Sequence, residues 1–209
     1  MKLYLIRHGE TDANVRGVSS GWTDTPLNEN GRRLAALTGR GMGNIRFDVC
    51  ISSPLSRARE TAEIVLRETG NDIPVTLEPR IRELHFGTME GVPVGRFPLL
   101  FTDPCHMPRF PEGEDISMLC GRTQAFLREL ADRKDDRTYL IATHGCALRA
   151  MLNPLYPDPA DFWHGHVPYN CAVSIVEAGA GQLRLVGDDV IYYDPALIVD
   201  RYAPGRTAD

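Results

Sequence analysis

Two stretches of this chain end alike. Leu3-Tyr4-Leu5-Ile6 runs into Arg7-His8-Gly9, and Tyr139-Leu140-Ile141-Ala142 runs into Thr143-His144-Gly145. Each is a short apolar run rich in strand formers that stops abruptly at a polar pair and a glycine. Each therefore reads as a buried strand that delivers its last residues to the open edge of a sheet. The repetition suggests that His8 and His144 are brought together at one site.

The rest of the chain supplies partners for these strands. Phe47-Asp48-Val49-Cys50-Ile51 is a further buried-strand candidate, and Ile73–Leu77 a third. Ser52-Ser53-Pro54 should then start a helix, because serine caps and proline tolerates the first turn. That helix is expected over about Leu55–Glu68, with Ala58, Ala62, Val65 and Leu66 inward and Gly70 closing it. Asn28 is the expected N-cap of another helix, carried on through Gly31–Leu37. Ser117–Arg133 has Leu119, Thr123, Phe126, Leu127 and Leu130 at helical spacing, and Ala147–Leu152 opens a helix after the second His-Gly strand. Ala172–Glu177 and Gln182–Val186 read as a hairpin around Gly179-Ala180-Gly181. Asp12–Asn30 reads as a polar connection, Arg80–Leu84 as a turn, and the tail after Tyr193 as loosely held.

Alternating strands and helices predict an α/β fold: a three-layer α/β/α sandwich around a mostly parallel central sheet. At 209 residues, one domain over 1–209 is expected, with an irregular lid insertion at about 86–116 rich in Gly and Pro. In such folds ligands bind at the carboxyl ends of the strands. Arg7-His8, Ser53–Arg57 and His144 all follow predicted strands directly.

Net charge is −5, which argues against a nucleic-acid surface. The only lysines are Lys2 and Lys134, so the positive charge is nearly all arginine, whose planar guanidinium grips phosphate or carboxylate oxygens in pairs. The five cysteines include no Cys-x-x-Cys, which predicts reduced, mostly buried thiols in a cytoplasmic protein. No signal peptide or bilayer-spanning run is visible.

Two histidines and two arginines at strand ends suggest phosphate chemistry. The arginines would neutralise oxygens, and a neutral imidazole could attack phosphorus to form a phosphohistidine. An alkoxide leaving group then needs a proton donor, for which Glu83 is the best carboxyl candidate and Glu10 and Glu90 weaker ones. Rival phosphate chemistries lack their motifs: no cysteine has an arginine six residues later, there is no Gly-Lys-Ser/Thr, and no Asp-x-Asp follows a strand.

Leu5-Ile6-Arg7-His8-Gly9-Glu10-Thr11 with Asn14 resembles the motif of the histidine phosphatase superfamily, in its phosphoglycerate mutase-like branch. The resemblance continues in order through Gly21–Gly31, Ser52–Ala62, Arg82–Gly91, Pro111–Asp115 and Thr143-His144-Gly145. It implies that His8 is the phosphorylated nucleophile and Glu83 the acid, then the base. It implies that Arg7, Arg57 and His144 hold the phosphoryl oxygens, with His144 cationic. Thr11, Asn14 and the Gly145 amide would add substrate contacts. It also implies no metal and no cofactor.

The other histidines, His85, His106, His164 and His166, read as structural or exposed, and His164-Gly165-His166 lacks a third metal ligand. Arg32 and Arg59 read as solvated helix residues, and Glu114 as either a polar contact or an exposed turn. Phe97, Leu99, Leu100, Phe101, Met107 and Phe110 are either an apolar wall for a leaving group or ordinary packing. The expected activity is that of a histidine acid-type phosphomonoesterase acting on a small phosphorylated metabolite, with no nucleic-acid or membrane partner. Homo-oligomer formation is left open. The alternatives are a phosphoglycerate mutase, for which Val92–Pro111 is short of cations with only Arg96 and Arg109, and a non-catalytic phosphate-binding module.

Overall fold

A computed structural model describes residues 1–179 and 182–199. In chain order the elements are β1 (Lys2–Arg7), α1 (Asp12–Arg16), α2 (Glu29–Met42), β2 (Val49–Ser52), α3 (Ser56–Glu68), β3 (Val75–Leu77), α4 (Pro98–Thr102), α5 (Ile116–Asp132), β4 (Thr138–Thr143), α6 (Gly145–Leu152), β5 (Val173–Gly179) and β6 (Gln182–Val190). The strands form one sheet in the order β3-β2-β4-β1-β5-β6. β3, β2, β4 and β1 are mutually parallel; β5 and β6 add an antiparallel pair at the β1 edge.

Alternation along β1 sorts the two core layers. Tyr4 and Ile6 face the layer of Leu34, Ala35, Ala58, Ala62 and Val65, contributed by α2 and α3. Leu3 and Leu5 face Phe126, Leu127, Leu130, Leu148 and Met151 of α5 and α6. Both faces of a central strand are thus covered, which is why it reads as continuously apolar. The three-layer expectation from the sequence is met.

The helix starts show where local reading works. Asn28 caps α2, its side-chain oxygen accepting from Gly31 N at 2.8 Å. Asp115 caps α5 by accepting from Met118 N at 2.8 Å. The expected serine cap of α3 is a correction: the N-cap is Leu55, without a side-chain bond. Asp24, from a distant loop, accepts from Ser56 N at 2.7 Å instead. The segment after β1 is not a plain connection either. Thr11 and Asn14 close a capping box around the short α1.

Between β3 and α5 the chain folds into 3₁₀ turns and α4, over an apolar cluster of its own. Phe86, Phe97, Leu100, Phe110, Phe162 and Trp163 belong to it, together with Cys146, Ala147 and Ala150 of α6. Residues 194–199 correct the expected loose tail: Leu197 and Ile198 pack on the α2/α3 layer, and Tyr193 Oη donates to Asn170 O at 2.8 Å. The expected hairpin is present as β5 and β6; its tip residues Ala180 and Gly181, and 200–209 of the tail, lie outside the described residues. No helix among the described residues is long and apolar enough to cross a membrane.

Candidate active site

Sheet register makes the two histidines neighbours. Arg7 pairs with Thr143 across β1 and β4, so the next residues, His8 and His144, leave the sheet side by side. His8 N donates to Thr143 O at 2.9 Å, and the two rings stand 5.2 Å apart between centroids. β2 adds the third strand end: Ser53 N donates to Ala142 O, and Ser53 Oγ lies 2.8 Å from His144 Nε2. The serine read as a helix cap is therefore a histidine partner.

His8 Nδ1 lies 2.7 Å from its neighbour's carbonyl, Gly9 O. That carbonyl can only accept, so Nδ1 carries the proton and Nε2 keeps its lone pair; the tautomer is assigned from this bond. Burial, then the Arg57 and Arg7 charges, push the His8 pKa well below the ordinary histidine range. His144 is pushed down the same way, by burial first and then by Arg57 and His8. By itself the protein thus favours neutral imidazoles. His144 Nδ1 is buried without a hydrogen-bond partner among the described residues.

The arginines are held by backbone carbonyls. Arg7 Nη1 donates to Pro168 O. Arg57 Nη1 and Nη2 donate to the carbonyls of Thr23, Ser20 and Gly21 at 2.7–3.0 Å. Burial brings Arg57 down to about 10, still fully cationic at neutral pH. The loop that holds Arg57 is itself fixed by Glu90, whose carboxylate accepts from Gly21 N and Trp22 N at 2.8 and 2.9 Å. Gly21 has to be glycine: a Cβ there would meet Leu84 O at 2.1 Å. Gly9 and Gly31 allow a similar backbone approach beside His8, where a Cβ on Gly31 would stand 2.1 Å from Glu10 O.

Glu83 sits at the start of α6. Its Oε1 accepts from Leu84 N and Ala147 N at 2.8 and 3.1 Å, and its Oε2 from Cys146 N at 3.2 Å. A second device fixes its backbone. Arg122 of α5 donates to the carbonyls of Arg80, Arg82 and Glu83 and, through Nε and Nη2, to both oxygens of Glu114. All five guanidinium N–H groups are used. Glu114 also accepts from His85 N at 3.1 Å, so one ion pair ties Glu83's segment to the start of α5. Arg122→Lys keeps the charge beside Glu114 but cannot span these acceptors. It is expected to slow turnover of an alkyl phosphate about ten- to a hundred-fold through misplacement of Glu83, with the first-turnover release of nitrophenol from a nitrophenyl phosphate much less affected. Rapid-quench measurement of the first turnover on the two esters checks this.

Arg7, His8, Thr11, Asn14, Arg57, Glu83 and Gly145 line one cleft of about 540 Å³, its open mouth included. His144, fully buried, backs His8. A family model described as "Histidine phosphatase superfamily (branch 1)" matches residues 3–188. The chain belongs to the histidine phosphatase superfamily. The adenosylcobalamin/alpha-ribazole phosphatase of Salmonella typhimurium is 31% identical, over 92% of this chain and 98% of that one. The probable phosphoglycerate mutase GpmB of Photorhabdus laumondii is 30% identical, over 94% and 97%. Among solved structures, Bacillus stearothermophilus YhfR superposes with a TM-score of 0.77 at 31% identity, covering 88% of this chain and 95% of that one.

Within this superfamily member, the residues set aside in the sequence have structural work. Glu10 accepts from Asn28 and Asn30 side chains at 3.0 and 3.1 Å. His164 stacks on Tyr156 while His166 pairs with Asp189, so the His-Gly-His segment does not converge on a common point. Trp22 lies between Arg82 and His85 in a stack and donates from Nε1 to Glu83 O at 2.9 Å. Thr11 and Asn14 reach the cleft, yet Asn14 Oδ1 also accepts from Thr11 N and Oγ1 at 3.1 Å. Arg122 was missed, and the parts played by Ser53 as a partner of His144 and by Glu90 as the anchor of the Arg57 loop were not anticipated, because nothing in their spacing links them to the partners they meet.

Proposed function

We propose that this chain is a metal-independent phosphomonoesterase acting through a phosphohistidine on His8. The observation that carries the proposal is the His8–Gly9 bond, which leaves the Nε2 lone pair in a cleft that Arg7, Arg57 and Glu83 also line. In the first step that lone pair forms an N–P bond while the P–O bond to the alcohol breaks. Protonated Glu83 gives its proton to the departing oxygen. In the second step Glu83, now a carboxylate, takes a proton from water as the water oxygen attacks phosphorus. The N–P bond breaks, the electron pair returns to Nε2, and phosphate leaves. Arg7 and Arg57 stabilise the charge on the transferring oxygens in a buried setting, where such fixed donors act most strongly. A dianionic ester brings the opposite charge that favours protonating His144, whose unpartnered Nδ1 can then meet a phosphoryl oxygen.

Relatives divide between phosphatases and mutases, so the second reading is phosphoryl transfer between positions of a phosphoglycerate. The cations lining the cleft are Arg7 and Arg57, and Arg109 is turned onto Gly113 O at 2.7 Å. Among the described residues no further cation lines the cleft for a carboxylate, which favours hydrolysis. With an alkyl phosphate, free phosphate and an acid-labile phosphoryl group on His8 are expected. An unmodified His8 would leave only a binding module. Isomerisation of 3-phosphoglycerate in the presence of a bisphosphoglycerate primer would make the chain a mutase.

A further inference from the structure

Resting on the phosphatase reading, we propose that the substrate is the monoester of an uncharged, largely apolar alcohol about the size of an aromatic ring. Beside the phosphoryl-binding groups the same cleft is lined by Phe86, Val94, Leu100, Phe101, Trp163 and Val167. These side chains come from the lid and from the loop after α6, and they are fastened together. Trp163 Nε1 donates to Leu100 O at 2.6 Å, and the Trp163 ring lies nearly parallel to Phe101, 18° apart. The wall is the cleft-facing side of the apolar cluster behind it, where Phe97 and Phe110 close on Phe86 and hold it in place.

Polarity points the same way. The serines of the wall are committed: Ser19 Oγ donates to Met89 O at 2.6 Å, and Ser20 Oγ shares a bond with Thr25 Oγ1 at 2.8 Å. Among the described residues Arg7 and Arg57 are the cations lining the cleft, and the phosphoryl group would occupy both. Lys2 opens β1 and Lys134 precedes β4, so both lysines sit at the opposite ends of the strands from His8 and His144. A carboxylate or ammonium on the leaving alcohol would lose its water against apolar side chains with no counter-charge. An apolar ring would gain from the same wall.

The test compares esters whose alcohols are similar at the reacting oxygen. kcat/KM for 2-phenylethyl phosphate should exceed that for ethyl phosphate by about ten-fold or more, and should exceed that for 3-phosphoglycerate by about a hundred-fold. Phe101→Ala, at a half-buried position that should tolerate truncation, is expected to compress the phenylethyl-to-ethyl ratio several-fold. Equal kcat/KM for all three esters, with His8 phosphorylated by each, would overturn this inference and leave the phosphatase reading standing. Release of phosphate from none of them would overturn both.

Discussion

Replacing His8 with alanine is expected to abolish phosphate release from any monoester, lowering kcat by about 10⁴-fold or more. The size of the effect follows from the covalent path. Without Nε2 no N–P bond forms, and the remaining groups can bind the phosphoryl oxygens but not attack phosphorus. Arg7 and Arg57 are anchored by carbonyls of other loops and do not depend on the His8 ring for their position. The variant should therefore still bind inorganic phosphate, which calorimetry can measure alongside the lost turnover. Retention of full activity would remove His8 from the mechanism. The same environment fixes a sign for its titration. Burial and the two arginines oppose the imidazolium, so His8 should stay neutral as pH falls through the ordinary histidine value of about 6.5 and protonate only below it. NMR of the imidazole in the free protein reads this directly. A midpoint at or above that value would contradict the electrostatics of the site.

The histidine pair was legible because parallel register turns two local patterns into one place. Once β1 and β4 pair with Arg7 opposite Thr143, His8 and His144 must be neighbours. α2 and α5 were legible for a similar reason: capping and helical spacing are short-range properties, and Asn28 caps α2 as expected while the spacing of Leu119, Phe126, Leu127 and Leu130 marks α5. What could not be read is whatever depends on a partner far along the chain. Ser53 looks like a cap in its own neighbourhood, but the strand order places it against a histidine 91 positions away. Arg122 looks like an ordinary helix residue, yet it braces a backbone segment some 40 positions earlier. Glu114 was ambiguous until that arginine resolved it as a buried ion-pair member. The lid residues were ambiguous because a cleft wall and a packed cluster draw on the same apolar side chains. The structure divides them: Leu100 and Phe101 line the cleft, Phe97 and Phe110 pack behind Phe86, and Leu99 is exposed.

Glu83→Gln should separate the two chemical steps. Glutamine keeps the size of the side chain and one acceptor oxygen for Leu84 N and Ala147 N. It loses the acceptor for Cys146 N, a cost of about 1–3 kcal/mol that the fold can bear. What it cannot do is donate an acidic proton or take one from water. With an alkyl phosphate the alkoxide must then leave unprotonated, and turnover should fall by about 10²–10⁴-fold. With a nitrophenyl phosphate the leaving group needs little help, so transfer to His8 should remain fast. The intermediate would then wait on hydrolysis, which lacks its base. The expected signature is a rapid burst of nitrophenol equal to the enzyme present, followed by slow turnover, with phosphohistidine accumulating on His8. Rapid-quench measurement of nitrophenol and of acid-labile phosphate decides the matter. An equal loss on both esters with no burst would mean that the carboxyl group acts on neither the leaving oxygen nor the water. Glu83 would then be no more than the cap of α6, and the proton would have to come from elsewhere in the cleft.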